Sequence, residues 1–233
     1  MKQLPVYFFN TDPYPKIANK NFKFGKVDKV DTVFTLASGF KRYKYSILYQ
    51  PKKLVVYDLN PYAVELHRRI DDLEKINFEA ICELYYEYEK EKINAVLSDY
   101  KLPNLITLSV EKQLKLNWDI ECQRWGGEEN FVTAFLYFKQ QKRIYETLDV
   151  IQGKDDIKKH LGKTNFIHIS NIFSWTHNPK FDRVALQKEK EAFSILMKDL
   201  KQELYPLSYM KLEEIKKFNS DFNAPNFFQV PEP

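Results

Sequence analysis

One acid and one small-residue turn carry the chemistry that this chain advertises. Ala37, Ser38 and Gly39 interrupt an apolar run, Val33 to Leu36, and Asp58 closes a second apolar run, Leu54 to Tyr57. Small residues let a backbone approach a ligand closely. An acid nineteen positions after Gly39 can accept hydrogen bonds from the two hydroxyls of a ribose. A pyrophosphate cradle wants about three glycines at fixed spacing. Here Gly39 stands alone in the turn, with no further glycine between it and Gly126. The pattern therefore favours a ligand with ribose and adenine but no phosphates, and S-adenosyl-L-methionine meets that description. The plain alternative is an ordinary strand-to-helix turn, with Asp58 capping the helix that opens at Pro61.

A second constellation is Ile167-His-Ile-Ser-Asn-Ile-Phe-Ser-Trp175. A strand ending at Ser170 and Asn171 would set two small polar side chains at the carboxyl edge of a sheet, where open α/β sheets bind ligands. The competing reading makes Asn171 and Ser174 turn formers. His168, inside the apolar strand, reads first as a core histidine, whereas His177 would be the more exposed candidate. No Ser-His-Asp order can be assigned. The run Gln152-Gly153-Lys154-Asp155, past a third strand, is the natural place for a contact to adenine.

These residues need elements to hold them. The stretch 31–70 reads as strand, turn, helix (Lys41 to Gln50), strand, then a helix from Pro61 to about Leu73 with Asn60 as cap. Apolar residues at threes and fours from Asn77 to about Leu97 predict a long helix, and Val110–Arg124 and Glu129–Arg143 predict two more. Gly126-Gly127 separates these as a helix end followed by a helix start. A crossover between parallel strands usually takes about 20 to 40 residues. The next strand-like run after Asp58 is Tyr145–Ile151, nearly ninety residues on. Residues 74–143 are therefore expected to be a helical insertion. Alternation then resumes with a helix at Lys154–Leu161, a strand at Asn165–Ser170 and a helix at Asp182–Leu204. The expected fold is α/β, a Rossmann-like methyltransferase fold with a mostly parallel sheet, in one domain spanning 1–233. Residues 1–30 look like an amino-terminal arm, packed outside the core or covering a cofactor.

Composition sets the outer bounds. The chain has 233 residues, of which 44% are hydrophobic, enough for a single packed core. Its 36 basic and 32 acidic residues leave a net charge of +4. Mixed charge of this kind gives little support to nucleic-acid binding. Two cysteines, Cys82 and Cys122, without paired histidines suggest neither a disulfide framework nor a metal site. Neither a signal peptide nor a run of roughly 20 apolar residues able to span a bilayer is present, so a cytoplasmic protein is expected.

Ala37-Ser-Gly-Phe40, Pro51-Lys-Lys-Leu-Val-Val-Tyr-Asp-Leu-Asn-Pro61 and His168-Ile-Ser-Asn171 together resemble the class I S-adenosylmethionine-dependent transferases. Within them the chain most resembles the betaine-lipid synthase type, which transfers a 3-amino-3-carboxypropyl group. The match is most specific at Asp58-Leu59-Asn60-Pro61 and covers about half the chain. In the family's turn, acidic or amide-bearing residues usually stand where Phe40 and Lys41 stand here. The resemblance implies that Ala37, Ser38, Gly39 and Phe40 line the methionine moiety. It further implies that Asp58, with Leu59 and Asn60, holds the ribose, and that Ser170 and Asn171 lie by the reacting end. The implied activity is aminocarboxypropyl or methyl transfer to a small or lipid-like acceptor. The alternative is a non-catalytic nucleoside-binding or scaffold module of the same fold.

Overall fold

The computed structural model describes residues 6–9, 30–91, 95–98, 109–149, 153–163, 165–168 and 191. In chain order its elements are β1 (Val6–Phe9), β2 (Thr32–Leu36), α1 (Lys41–Tyr49), β3 (Lys53–Asp58), α2 (Pro61–Asp72) and α3 (Phe78–Lys90). There follow β4 (Ala95–Ser98), α4 (Val110–Arg124), α5 (Glu128–Lys139), β5 (Arg143–Thr147), α6 (Lys154–His160) and β6 (Asn165–Ile167).

Four strands form one parallel sheet in the order β5-β3-β2-β6. The chain moves outward from β2 through β3 to β5, then returns to lay β6 on the other side of β2. Strand order thus reverses between β2 and β6, the place at which open α/β sheets bind ligands. The expected α/β architecture and parallel pairing are present, in a small sheet.

Burial follows the pleat. Val33, Ala37, Leu54, Val56 and Phe166 join the main apolar core, while Phe34, Val55, Tyr57 and Ile167, one position out of phase, are buried on the opposite face. Strands covered on both faces read as continuous apolar runs, which is why β2 and β3 were visible in sequence. Over the first face lie α1, α5 and α4. Tyr43 sits between Phe131, Phe135 and Phe138, and Phe131 lies 5.4 Å from Trp118.

Among its described residues, region 74–143 holds three helices, Phe78–Lys90, Val110–Arg124 and Glu128–Lys139, and one strand inside it. The helix expected to run to Leu97 ends at Lys90, and Ala95–Ser98 pairs in parallel with Val6–Phe9 as a separate two-stranded sheet. Periodicity could not find this pair, because a four-residue apolar run becomes a strand only when a distant partner is present. Its partner β1, part of the stretch expected to pack outside the core or cover a cofactor, instead puts Val6, Phe8 and Phe9 into the core. Phe8 stacks edge-on against Tyr85 and Tyr88, and Phe9 against Phe40. Gly126 (φ 77°) and Gly127 (φ 126°) close α4 and open α5, with the Gly127 N–H donating to the Cys122 carbonyl at 2.9 Å. The third main strand, expected from Tyr145 to Ile151, spans Arg143–Thr147, and the helix expected to run to Arg143 ends at Lys139. The helix expected over Asp182–Leu204 lies outside the described residues apart from Glu191. No helix among the described residues is long and apolar enough to cross a membrane.

Candidate active site at the carboxyl edge of the sheet

Tyr57 ties together the ends of β2, β3 and β6. Its carbonyl accepts the Ala37 N–H at 2.8 Å, joining the turn after β2 to the end of β3. Its buried hydroxyl donates to the His168 carbonyl at 2.7 Å, spanning β2 to reach the end of β6. Burial, reinforced by the neighbouring Asp58 carboxylate, pushes the phenol far above its ordinary range, so it stays a donor at any working pH. Turn, acid and returning strand are thereby brought to one edge.

Asp58 ends β3, half-buried. Its Oδ1 accepts the Asn60 N–H at 2.9 Å, and the Leu59 N–H bonds it as well. Among the described residues no cation pairs with it. Burial outweighs these two bonds and raises the carboxyl to about 6. The helix cap is its neighbour: Asn60 Oδ1 accepts the Tyr62 N–H at 3.0 Å, with Pro61 at the first helical position. Asp58 is therefore not the capping residue of α2, and two local N–H bonds leave acceptor capacity on a carboxylate that takes about four. Beside it Leu59 and Tyr62 are 59% and 45% exposed, an apolar surface against which a flat ring system can pack.

In the turn, Ala37 and Gly39 are buried and Ser38 is half-buried. Gly39 has φ 72°, a left-handed conformation that glycine adopts without strain. Phe40, by contrast, faces the core at 1% exposure, its ring 5.1 Å from Phe131 and 6.2 Å from His67. A ligand at this edge could meet only its backbone.

Beneath the turn lies a cluster that sequence reasoning missed. Arg42 is fully buried, and its Nη1 donates to the carbonyls of Ala37, at 3.2 Å, and Gly39. Its Nε and Nη2 hold the two oxygens of Asp71 at 2.7 and 2.6 Å. Tyr43 and Tyr145 donate their hydroxyls to the same carboxylate at 2.7 and 2.8 Å. Burial works against the charged guanidinium, but the Asp71 carboxylate outweighs it and holds the group charged, above its ordinary range. The signal was present in periodicity. Arg42 shares a stripe with Tyr45 and Tyr49, and Asp71 lies seven residues after Val64 on the apolar face of α2.

His168 closes the edge on the β6 side. Its ring lies 5.1 Å from Tyr45, and burial together with Lys41 holds its pKa well below the ordinary value, so the imidazole is neutral. Among the described residues His168 Nδ1 and Thr35 Oγ1 are buried without a hydrogen-bond partner. The predicted Ser170 and Asn171, with Gln152 and His177, lie outside the described residues. Among the described residues no group of three or more His, Cys, Asp or Glu side chains could hold a metal ion. Comparison of the chain with protein-family models, with curated proteins and with solved structures finds no match.

Proposed function

We propose that the protein is an S-adenosylmethionine-dependent transferase that moves an aminocarboxypropyl or methyl group to a small or lipid-like acceptor. The observation that carries this reading is the placement of Asp58. A carboxylate with unspent acceptor capacity ends the strand next to β2, and a glycine turn is bonded to that same strand end through Tyr57. The strand order supports it: counted along the chain, the four strands lie 3-2-1-4, the beginning of the classic doubly wound order. In that reading Asp58 accepts the ribose hydroxyls, Leu59 and Tyr62 offer apolar surface to the adenine, and the turn at Ala37–Gly39 approaches the amino-acid end.

Bound S-adenosylmethionine would supply an activated sulfonium, so the chain itself needs to orient the acceptor and exclude water rather than activate a nucleophile with a triad. The test is incubation of the full chain with labelled cofactor and broad acceptor extracts, followed by chromatography. Release of methylthioadenosine identifies aminocarboxypropyl transfer, the outcome favoured by Asp58-Leu-Asn-Pro61. Release of adenosylhomocysteine identifies methyl transfer. Binding without either product supports the non-catalytic module, and absence of binding overturns the nucleoside reading altogether.

A further inference from the structure

A ligand-binding turn must keep its carbonyl oxygens away from the ligand's own acceptors and hold its backbone still. Glycines in ligand cradles permit the tight turn and the close approach of backbone to ligand, but they fix no carbonyl in place. The turn here has Gly39 alone, yet two of its carbonyls, those of Ala37 and Gly39, are bonded from below by one nitrogen of a fully buried arginine. Those oxygens face the protein interior. The remaining guanidinium nitrogens are locked on Asp71 of α2, which Tyr145 of β5 also holds.

We propose that Arg42 is the positioning residue of the ligand turn, fixing with hydrogen bonds a backbone that glycine alone leaves free. This rests on the nucleoside reading of the same edge. Only a planar fork fits the role. One nitrogen serves two carbonyls while two others grip a carboxylate, a division that a lysine ammonium on a flexible stem cannot reproduce. The same geometry links the turn to α2 and to the edge strand β5, so the turn's order depends on residues distant from it in sequence.

Arg42→Lys keeps a positive charge beside Asp71 and removes the fork. In the full chain, amide hydrogen exchange and titration calorimetry with S-adenosylhomocysteine separate positioning from simple support. The expected result is exchange at residues 37–40 about tenfold faster and binding about tenfold weaker, near 1.4 kcal/mol. Exchange at Leu54–Tyr57 of β3 stays as in wild type. A merely structural role would speed exchange in β3 and the turn together and leave the affinity of the folded protein unchanged; that outcome overturns the proposal. So does wild-type exchange at the turn. If Arg42→Lys does not fold, Tyr145→Phe, which spares the Arg42–Asp71 pair, is expected to shift both readouts the same way by about two- to threefold, and a shift in neither overturns the proposal. If wild type binds no S-adenosylhomocysteine while the turn loosens selectively, the nucleoside reading fails and Arg42 is left as a structural brace.

Discussion

Asp58 and Asp71 sit at the two ends of helix α2, one just before it and one in its last turn, and they are held in opposite ways. Asp71 receives four side-chain donors, two from Arg42 and one each from Tyr43 and Tyr145. Its acceptor capacity is used up inside the protein. Asp58 receives two N–H groups from its own chain neighbours, faces no cation among the described residues and is raised to about 6 by burial. A carboxylate saturated by buried donors holds structure together. One that is partly desolvated and under-bonded is costly to the fold, and that cost is offset when a ligand supplies the missing donors.

The largest difference should appear in stability. Asp71→Ala leaves Arg42 as a buried, unpaired cation and should cost about 3 to 5 kcal/mol, measured by denaturant unfolding. Asp58→Asn keeps an acceptor for the Asn60 N–H and removes a charge that burial disfavours, so it should cost nothing or stabilise. Equal losses in the two variants would erase the distinction between the carboxylates.

A second expected effect is the pH dependence of folding. Asp58 rises from its ordinary 3.8 to about 6, and Glu121, buried on α4, rises from 4.5 to about 7. Burial is the main cause for both. For Glu121 it prevails over the Trp125 Nε1–H bond at 3.0 Å. A carboxyl raised in the folded state binds protons there that the unfolded chain has released. Its contribution is therefore complete below about pH 4 and is lost as pH rises through the folded value. Each site should remove on the order of 3 kcal/mol over its window. Asp58→Asn should flatten the fall between about pH 4 and 6, and Glu121→Gln the part that extends to about 7. A wild-type stability that rises steadily over this window contradicts both assignments.

The smallest effect belongs to the cap. Asn60→Ala removes the acceptor for the Tyr62 N–H and should cost about 1 kcal/mol, well below the Asp71 loss. A larger loss at Asn60 would mean that the end of β3 matters to the fold more than the Arg42–Asp71 cluster does.

What could be read in the sequence follows from the range of each signal. Strands β2 and β3, helix α2 with its Asn60 cap, and the glycine break at Gly126-Gly127 are written in neighbouring residues. Turn chemistry, caps and apolar runs act within a few positions. The edge that gathers Ala37, Gly39 and Asp58 was legible for the same reason, since they flank a single strand-turn-helix-strand unit. The pairing of β1 with β4 was not legible, because Val6–Phe9 and Ala95–Ser98 become strands through each other. Nor was the Arg42–Asp71 pair. Each lies on an apolar stripe of its helix, but nothing local says that two residues twenty-nine positions apart meet, and it is the packing of α1 against α5 and of α2 against β5 that brings them together. Phe40 shows the converse. It stands where a ligand-facing residue was expected, yet its ring serves the core shared with Phe9 and Phe131.

The central claim is that the ionised Asp58 carboxylate holds the hydroxyls of an adenosyl ligand. Titration calorimetry with S-adenosylhomocysteine on wild type and Asp58→Asn, at pH 5 and pH 7.5, tests it most directly. With a carboxyl near 6, wild type should bind about tenfold more weakly at pH 5 than at pH 7.5. Asp58→Asn, lacking charge-assisted bonds worth about 1.5 to 3 kcal/mol, should bind roughly 10- to 150-fold more weakly than wild type at pH 7.5 and show no such pH dependence. An Asp58→Asn protein that binds the ligand as tightly as wild type at both pH values contradicts the account.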